Sequence, residues 1–210
     1  MTDPDLSVVL IDLDACGPAD ASALAAEDLA AGKPIADSDR RRRFLAARRE
    51  VRVLLGRITG QPPAEVRLLR GRNGKAEMEG TPIHFSVSTR GGTCAIATSS
   101  VHPVGVELAP VPARPPLPVL RQILPPRARL AVLAAEAVEQ PREFALWWCR
   151  VEAAVRACGA GLDEAAACLA AAPQDARVVE PDLAAAVAVV GGNPTLDVRW
   201  RVAESIGAVR

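Results

Sequence analysis

The chain has no tyrosine and only three phenylalanines and three tryptophans. Its apolar volume therefore comes from alanine, valine and leucine, and each large ring carries an unusual share of the packing. An excess of one charge is also missing. Lys+Arg and Asp+Glu stand at 25 each, so no global field directs the protein to nucleic acid or an anionic membrane. Lysine is scarce, with Lys33 and Lys75 the only two. No apolar run approaches the ~20 residues a membrane helix requires, because Asp, Arg or Pro interrupts each one. The opening MTDPDLSVVLIDLDACG is acidic ahead of its apolar stretch, unlike a secretory signal. Five cysteines, odd in number and without CxxC spacing, favour a reduced, cytoplasmic compartment. A monomer without nucleic-acid or membrane partners is expected.

What is present is 210 residues, half of them hydrophobic, enough for one large domain or two small ones. LSVVLIDLDA, closed by Gly17-Pro18, reads as a strand. Alanine-rich helical sequence follows from about Ala21. A second helix is expected to start at Asp37 or Ser38 and stop at Gly60 before Pro62-Pro63. VRLLR is a short strand and GRNGK a turn. Further strands fit PIHFSVS, GTCAIATS and PVGVELAPV. Helices are expected over about 118–124, 126–138, 141–158 and 163–171, three of them with proline in the first turn. LAAAVAVVG, a GGNP turn and TLDVRWRV read as a closing β-hairpin. GTCAIATSS and LAAAVAVVG lie about ninety positions apart and suggest two related halves. Short Ala/Val strands also look alike in any alanine-rich protein, so periodicity alone leaves duplication open.

Several residues stand out chemically. Alternation places Val104, Val106 and Leu108 on one face of their strand and Gly105, Glu107 and Ala109 on the other. A mid-strand carboxylate is either at an edge in water or paired with a cation. In ALWWCRVEAAVRACGAGL, Phe144, Trp148, Glu152 and Arg156 recur every four residues, and Trp147, Val151, Val155 and Cys158 form an apolar stripe expected to face the core. Glu152 and Arg156, spaced i,i+4, form at least a modest surface pair. HFSVSTRGG could cradle a phosphate with backbone N–H groups, although most such turns bind nothing. GRNGK presents Lys75, and Arg48 and Arg52 share one side of the arginine-rich helix.

Taken in order, RRRRFLAARREVR, GRNGKAE, PIHFSVSTRGG, PVGVELA and WCRVEAAVRACGAGL resemble the signature blocks of the 4′-phosphopantetheinyl transferase superfamily, in its larger two-lobed, synthetase-activating form. The resemblance spans about 40–162. It implies an α+β fold of two similar α/β subdomains related by a pseudo-twofold, here 1–103 and 104–210, with the active site between them. It implies transfer of the phosphopantetheine arm of coenzyme A to a serine of an acyl or peptidyl carrier protein, with Mg²⁺ held by carboxylates. By matched position, Glu107 and Glu152 would be the catalytic and metal-binding carboxylates. Lys75, Arg52, Arg48, Ser88, Thr89 and Arg156 would line the coenzyme A site.

The departures fall at important places. Thr89 stands where the family has histidine, Glu107 where it has aspartate, Ala109 at the second strand carboxylate, Val151 at a helix lysine, and Ala76 at the proline after the turn lysine. Arg90 and Arg150 are the neighbouring cations able to compensate. The chain is therefore expected to be either such a transferase, weak or narrow in its carrier, or a repurposed relative that binds a carrier protein or coenzyme A-like arm, or does other chemistry in the same cleft.

Overall fold

The first strand forms where the sequence is richest in β-branched residues: β1, Ser7–Asp12, is buried along four consecutive positions. The computed structural model describes residues 6–17, 21–191 and 198–206, with only the backbone at Arg72. A short helix, α1 (Ala26–Gly32), leads to the long α2 (Ser38–Thr59). Asp37 caps α2 by accepting the Arg40 N–H at 2.6 Å, and Gly60 ends it in the left-handed region at φ 71°. A small hairpin of β2 (Leu68–Arg70) and β3 (Ala76–Met78) follows, then β4 (His84–Arg90) and β5 (Thr93–Ser99).

The second half runs β6 (Val104–Pro110), α3 (Leu117–Gln122), α4 (Pro126–Ala134), α5 (Gln140–Cys158), α6 (Ala165–Ala171), β7 (Gln174–Glu180) and β8 (Leu183–Val189), before β9 (Arg199–Ala203). The protein is thus mixed α+β, with six α-helices among the described residues. One sheet has the order β4-β5-β1-β9 and the other β6-β8-β7. In each half a first strand and a hairpin make an antiparallel trio, with β5 or β8 central.

Three apolar clusters stack the layers. Val51 and Leu55 of α2 pack on Val9, Ile11 and Ile96. Val8, Leu10 and Ala95 of the first sheet meet Val106, Leu108 and Val187 of the second. Ala145, Cys149 and Ala153 of α5 pack on Ala184, Ala186 and Ala188. The sheets also touch along one side. Ser86 and Ser88 of β4 accept the N–H groups of Val106 and Leu108, each at 3.1 Å. They satisfy donors that edge strand β6 would otherwise leave open.

The structure corrects the expected chain end. β9 does not return beside β8; it pairs in parallel with β1, Ser7 opposite Arg199 through Ile11 opposite Ala203. The expected GGNP turn lies mostly outside the described residues. The strands of the two trios lie on either side of residues 103 and 104, whereas β9 joins the first sheet. Parallel pairing buries the free edge of β1. β3 and β7 were not expected from sequence. β7 is only partly buried along its length, so it lacks the alternation that marks a strand. The apolar stripe expected to face the core from α5 is also shifted. Ala145, Cys149, Ala153 and Ala157 are its most buried line, whereas Trp147 and Cys158 are only half-buried.

Candidate functional site

A cleft of 1430 Å³ lies where the C-terminal half of α5 approaches the first half. Each wall has a local cause. α2 exposes arginines because its apolar residues face the first sheet. β4 ends at Gly91, whose φ of 55° turns the chain back and leaves Thr89 and Arg90 on the cleft surface. In the GRNGK turn, Asn73 and Gly74 take positive φ, 54° and 76°, and lay the turn on the end of α5. There Asn73 Nδ2 donates to the Gly159 carbonyl at 2.9 Å.

The lining contains eight cationic and four acidic side chains among the described residues. This balance favours an anionic occupant. Arg40, Arg70 and Arg90 are exposed and form no ion pair among the described residues. Phe44, Leu68 and Leu69 add an apolar patch to the same wall.

The two carboxylates expected to work together are placed differently. Glu152 lines the cleft, half-buried, with no hydrogen bond or ion pair among the described residues. Glu107 is 5% exposed and lies behind the cleft surface. Its Oε2 accepts from Ser88 Oγ at 3.0 Å and from Arg156 Nη2 at 2.8 Å. Burial pushes the Glu107 carboxyl above the ordinary range, Arg156 opposes that shift, and Glu152 adds to it. Glu107 is therefore not an edge carboxylate in water, and one of its two oxygens, Oε2, is already engaged. Arg156 bridges to the β6 carboxylate instead of pairing with Glu152 one turn before it.

Other expected ligands divide in the same way. Thr89, Arg48 and Arg156 border the cleft. Arg48 sits over the Phe44 ring at 5.3 Å, with its Nε 3.7 Å from Asp28. Arg52, 1% exposed, has all three guanidinium nitrogens engaged: Nε with Asp28, Nη1 with the Val66 carbonyl and Nη2 with Glu27. It anchors α1 to α2 rather than presenting a cation. Ser88 is turned towards β6, so its expected cofactor contact is replaced by an internal one. Lys75 Nζ donates to the carbonyls of Val104 at 3.1 Å and Ala157 at 3.3 Å, and burial lowers its pKa. It latches the hairpin to the end of α5, where a cation suits the helix dipole.

Arg150 faces Trp147, 5.0 Å from the ring centroid, and does not line the cleft. Arg90 does. The cation that sequence reasoning missed is Arg70, which directly precedes the GRNGK turn; that adjacency was the available signal.

The site was expected to hold Mg²⁺, which takes oxygen ligands in near-octahedral array. The donor set does not suit it. Glu107 Oε2 already accepts from a guanidinium and a hydroxyl, the strand position two residues on is Ala109, and no cluster of three His, Cys, Asp or Glu able to hold a metal occurs among the described residues. A cation bound beside Glu107 would meet the positive charge of Arg156. No helix among the described residues is long and apolar enough to cross a membrane. Compared with models of known protein families and with curated proteins, the chain matches none.

Proposed function

We propose that the cleft binds coenzyme A and that the chain is a protein of the 4′-phosphopantetheinyl transferase type, moving the phosphopantetheine arm to a serine of an acyl or peptidyl carrier protein. The observation that carries this reading is the pair Glu152 and Arg156, one helical turn apart. One is an unpaired carboxylate and the other a held guanidinium, and both border a cleft otherwise rich in cations. The repeated strand order β4-β5-β1 and β6-β8-β7 supports two similar halves with a site between them.

In this reading Arg48, Arg70 and Arg90 are available to phosphates, and Arg156 neutralises charge on the diphosphate. The apolar wall at Leu68, Leu69 and Phe44 suits the uncharged arm. The carrier serine Oγ forms a bond to the β-phosphorus as the bond from that phosphorus to the bridging oxygen breaks. The serine proton passes to Glu152, and the electron pair of the broken bond leaves on 3′,5′-ADP.

Mass spectrometry of apo carrier proteins incubated with the protein and coenzyme A tests the reading. One carrier should gain the mass of the arm, and Glu152→Gln should lower that rate ~10²–10⁴-fold, the usual contribution of a positioned base. No gain on any carrier encoded beside the gene contradicts transfer.

The engagement of Lys75, Arg52 and Ser88 inside the protein favours one second reading, a relative that holds the arm or its carrier without transferring it. Coenzyme A binding without any mass gain is the result that supports it.

A further inference from the structure

Building on the coenzyme A reading above, we infer that Arg156, pinned by the buried carboxylate of Glu107, takes the charge-neutralising place of a divalent cation, so that the cleft binds its diphosphate without metal. The geometry divides the guanidinium between two tasks. Nη2 is held by Glu107 at 2.8 Å, and Nη1 makes a long contact to the Val87 carbonyl at 3.4 Å. A guanidinium carries five N–H donors, so two Nη hydrogens remain beyond these contacts and the buried Nε, which has no partner. The side chain is 41% exposed and borders the cleft, so those hydrogens can reach a ligand.

The carboxylate behind it fixes the fork before any ligand arrives. Glu107 is itself held by Ser88, whose hydroxyl also accepts the Leu108 N–H. This chain, from β6 backbone through hydroxyl and carboxylate to guanidinium, is the kind of support that keeps a binding group oriented. A planar guanidinium can meet two phosphate oxygens at once, which a lysine ammonium does not.

Metal and guanidinium also compete for the same carboxylate. A divalent ion on Glu107 would have to displace Arg156 or stand against its charge. Glu152 remains as the one unpaired carboxylate on the cleft side of α5, free to act on a proton instead of a metal.

Calorimetric titration of the intact protein with coenzyme A separates this inference from the reading beneath it. One titration contains EDTA and the other excess Mg²⁺. The expected dissociation constants agree within about twofold, a difference below ~0.4 kcal/mol. Binding that requires Mg²⁺ overturns the inference and leaves the coenzyme A reading standing. No binding in either buffer overturns the reading itself. The double variant Glu107→Gln with Arg156→Gln removes both charges together, so no buried charge is left unpaired. Its affinity should fall at least ~10-fold in both buffers, as expected for one lost charged hydrogen bond. Unchanged affinity in a variant with wild-type circular dichroism would also overturn the inference.

Discussion

The two antiparallel trios share a strand order but differ in what they turn towards their helices. Matched on their central strands, Val9 opposite Ile96 corresponds to Glu107 opposite Ala186, and Ser7 opposite Thr98 to Gly105 opposite Ala188. Likewise, Ile11 opposite Cys94 corresponds to Ala109 opposite Ala184. The first half therefore fills the space under α2 with branched side chains. The second lines its sheet with alanine and glycine and draws α5 in. A Cβ on Gly105 would lie 2.1 Å from the Ala153 carbonyl oxygen and 2.5 Å from the Ala157 nitrogen, so the β6 and α5 backbones touch. That closeness lets one strand carboxylate and one helix guanidinium meet. The same layered plan puts a strand valine under α2 in one half and a strand carboxylate paired with an α5 guanidinium in the other.

The most disruptive way to break this comparison is to give the first half the second half's carboxylate. Val9→Glu places a carboxyl in the apolar cluster under α2, and should cost about 4 kcal/mol or more, or prevent folding. Urea denaturation measures it. Next is the close approach: Gly105→Ala forces backbone to shift and should cost ~3 kcal/mol. Its counterpart Ser7→Ala loses only the Thr98 hydroxyl contact at 3.0 Å and should cost below ~1.5 kcal/mol. Equal losses in the two variants would contradict the proposed difference between the halves.

Removing one member of the ion pair sharpens the contrast. Arg156→Ala strands a buried carboxylate and should cost ~2 kcal/mol, less than the ~3–5 of fully buried pairs because Arg156 is 41% exposed. Glu107→Val restores the first half's residue type and should cost less than ~1 kcal/mol. The two also differ in pH dependence. Because burial raises the Glu107 pKa, its protonated form favours the folded state: that contribution is complete below the ordinary value near 4.5 and is lost as pH rises through the raised value. The deficit of Arg156→Ala should therefore shrink as pH falls towards 4.5, while that of Glu107→Val should not.

The smallest effect belongs to the surface. Arg43 and Arg42 hold the Asp14 carboxyl at about 2, below its ordinary 3.8. The depressed value makes this contribution present above 3.8 and lost as pH falls to about 2. Asp14→Asn should cost ~0.5–1 kcal/mol at neutral pH, the scale of exposed pairs, and progressively less as pH falls from 3.8 through about 2.

Much of the fold was legible wherever one residue dictates local geometry. Asp37, Gly60 and Gly159 mark helix ends through capping and left-handed backbone, and the alternation in PVGVELAPV assigned the two faces of β6. β9 was misplaced because nothing in TLDVRWRV distinguishes a neighbour 10 residues earlier from one nearly 190 residues earlier; tertiary pairing decides it. In the site, spacing along α5 suggested Glu152 with Arg156, since i,i+4 contacts are local. The stronger partner, Glu107, lies on another element, and only packing reveals that Arg156 turns to it. Arg52 and Lys75 read as ligands because charge is visible in sequence, whereas the carbonyls and carboxylates that engage them are not.

The most direct test of the central claim is a crystal structure of the protein with coenzyme A. The account predicts a diphosphate oxygen within hydrogen-bonding distance of an Arg156 Nη, the Glu107–Arg156 pair intact, and Glu152 beside the β-phosphorus. A diphosphate seated away from Arg156, or bridged to Glu107 by a metal with Arg156 displaced, would contradict it.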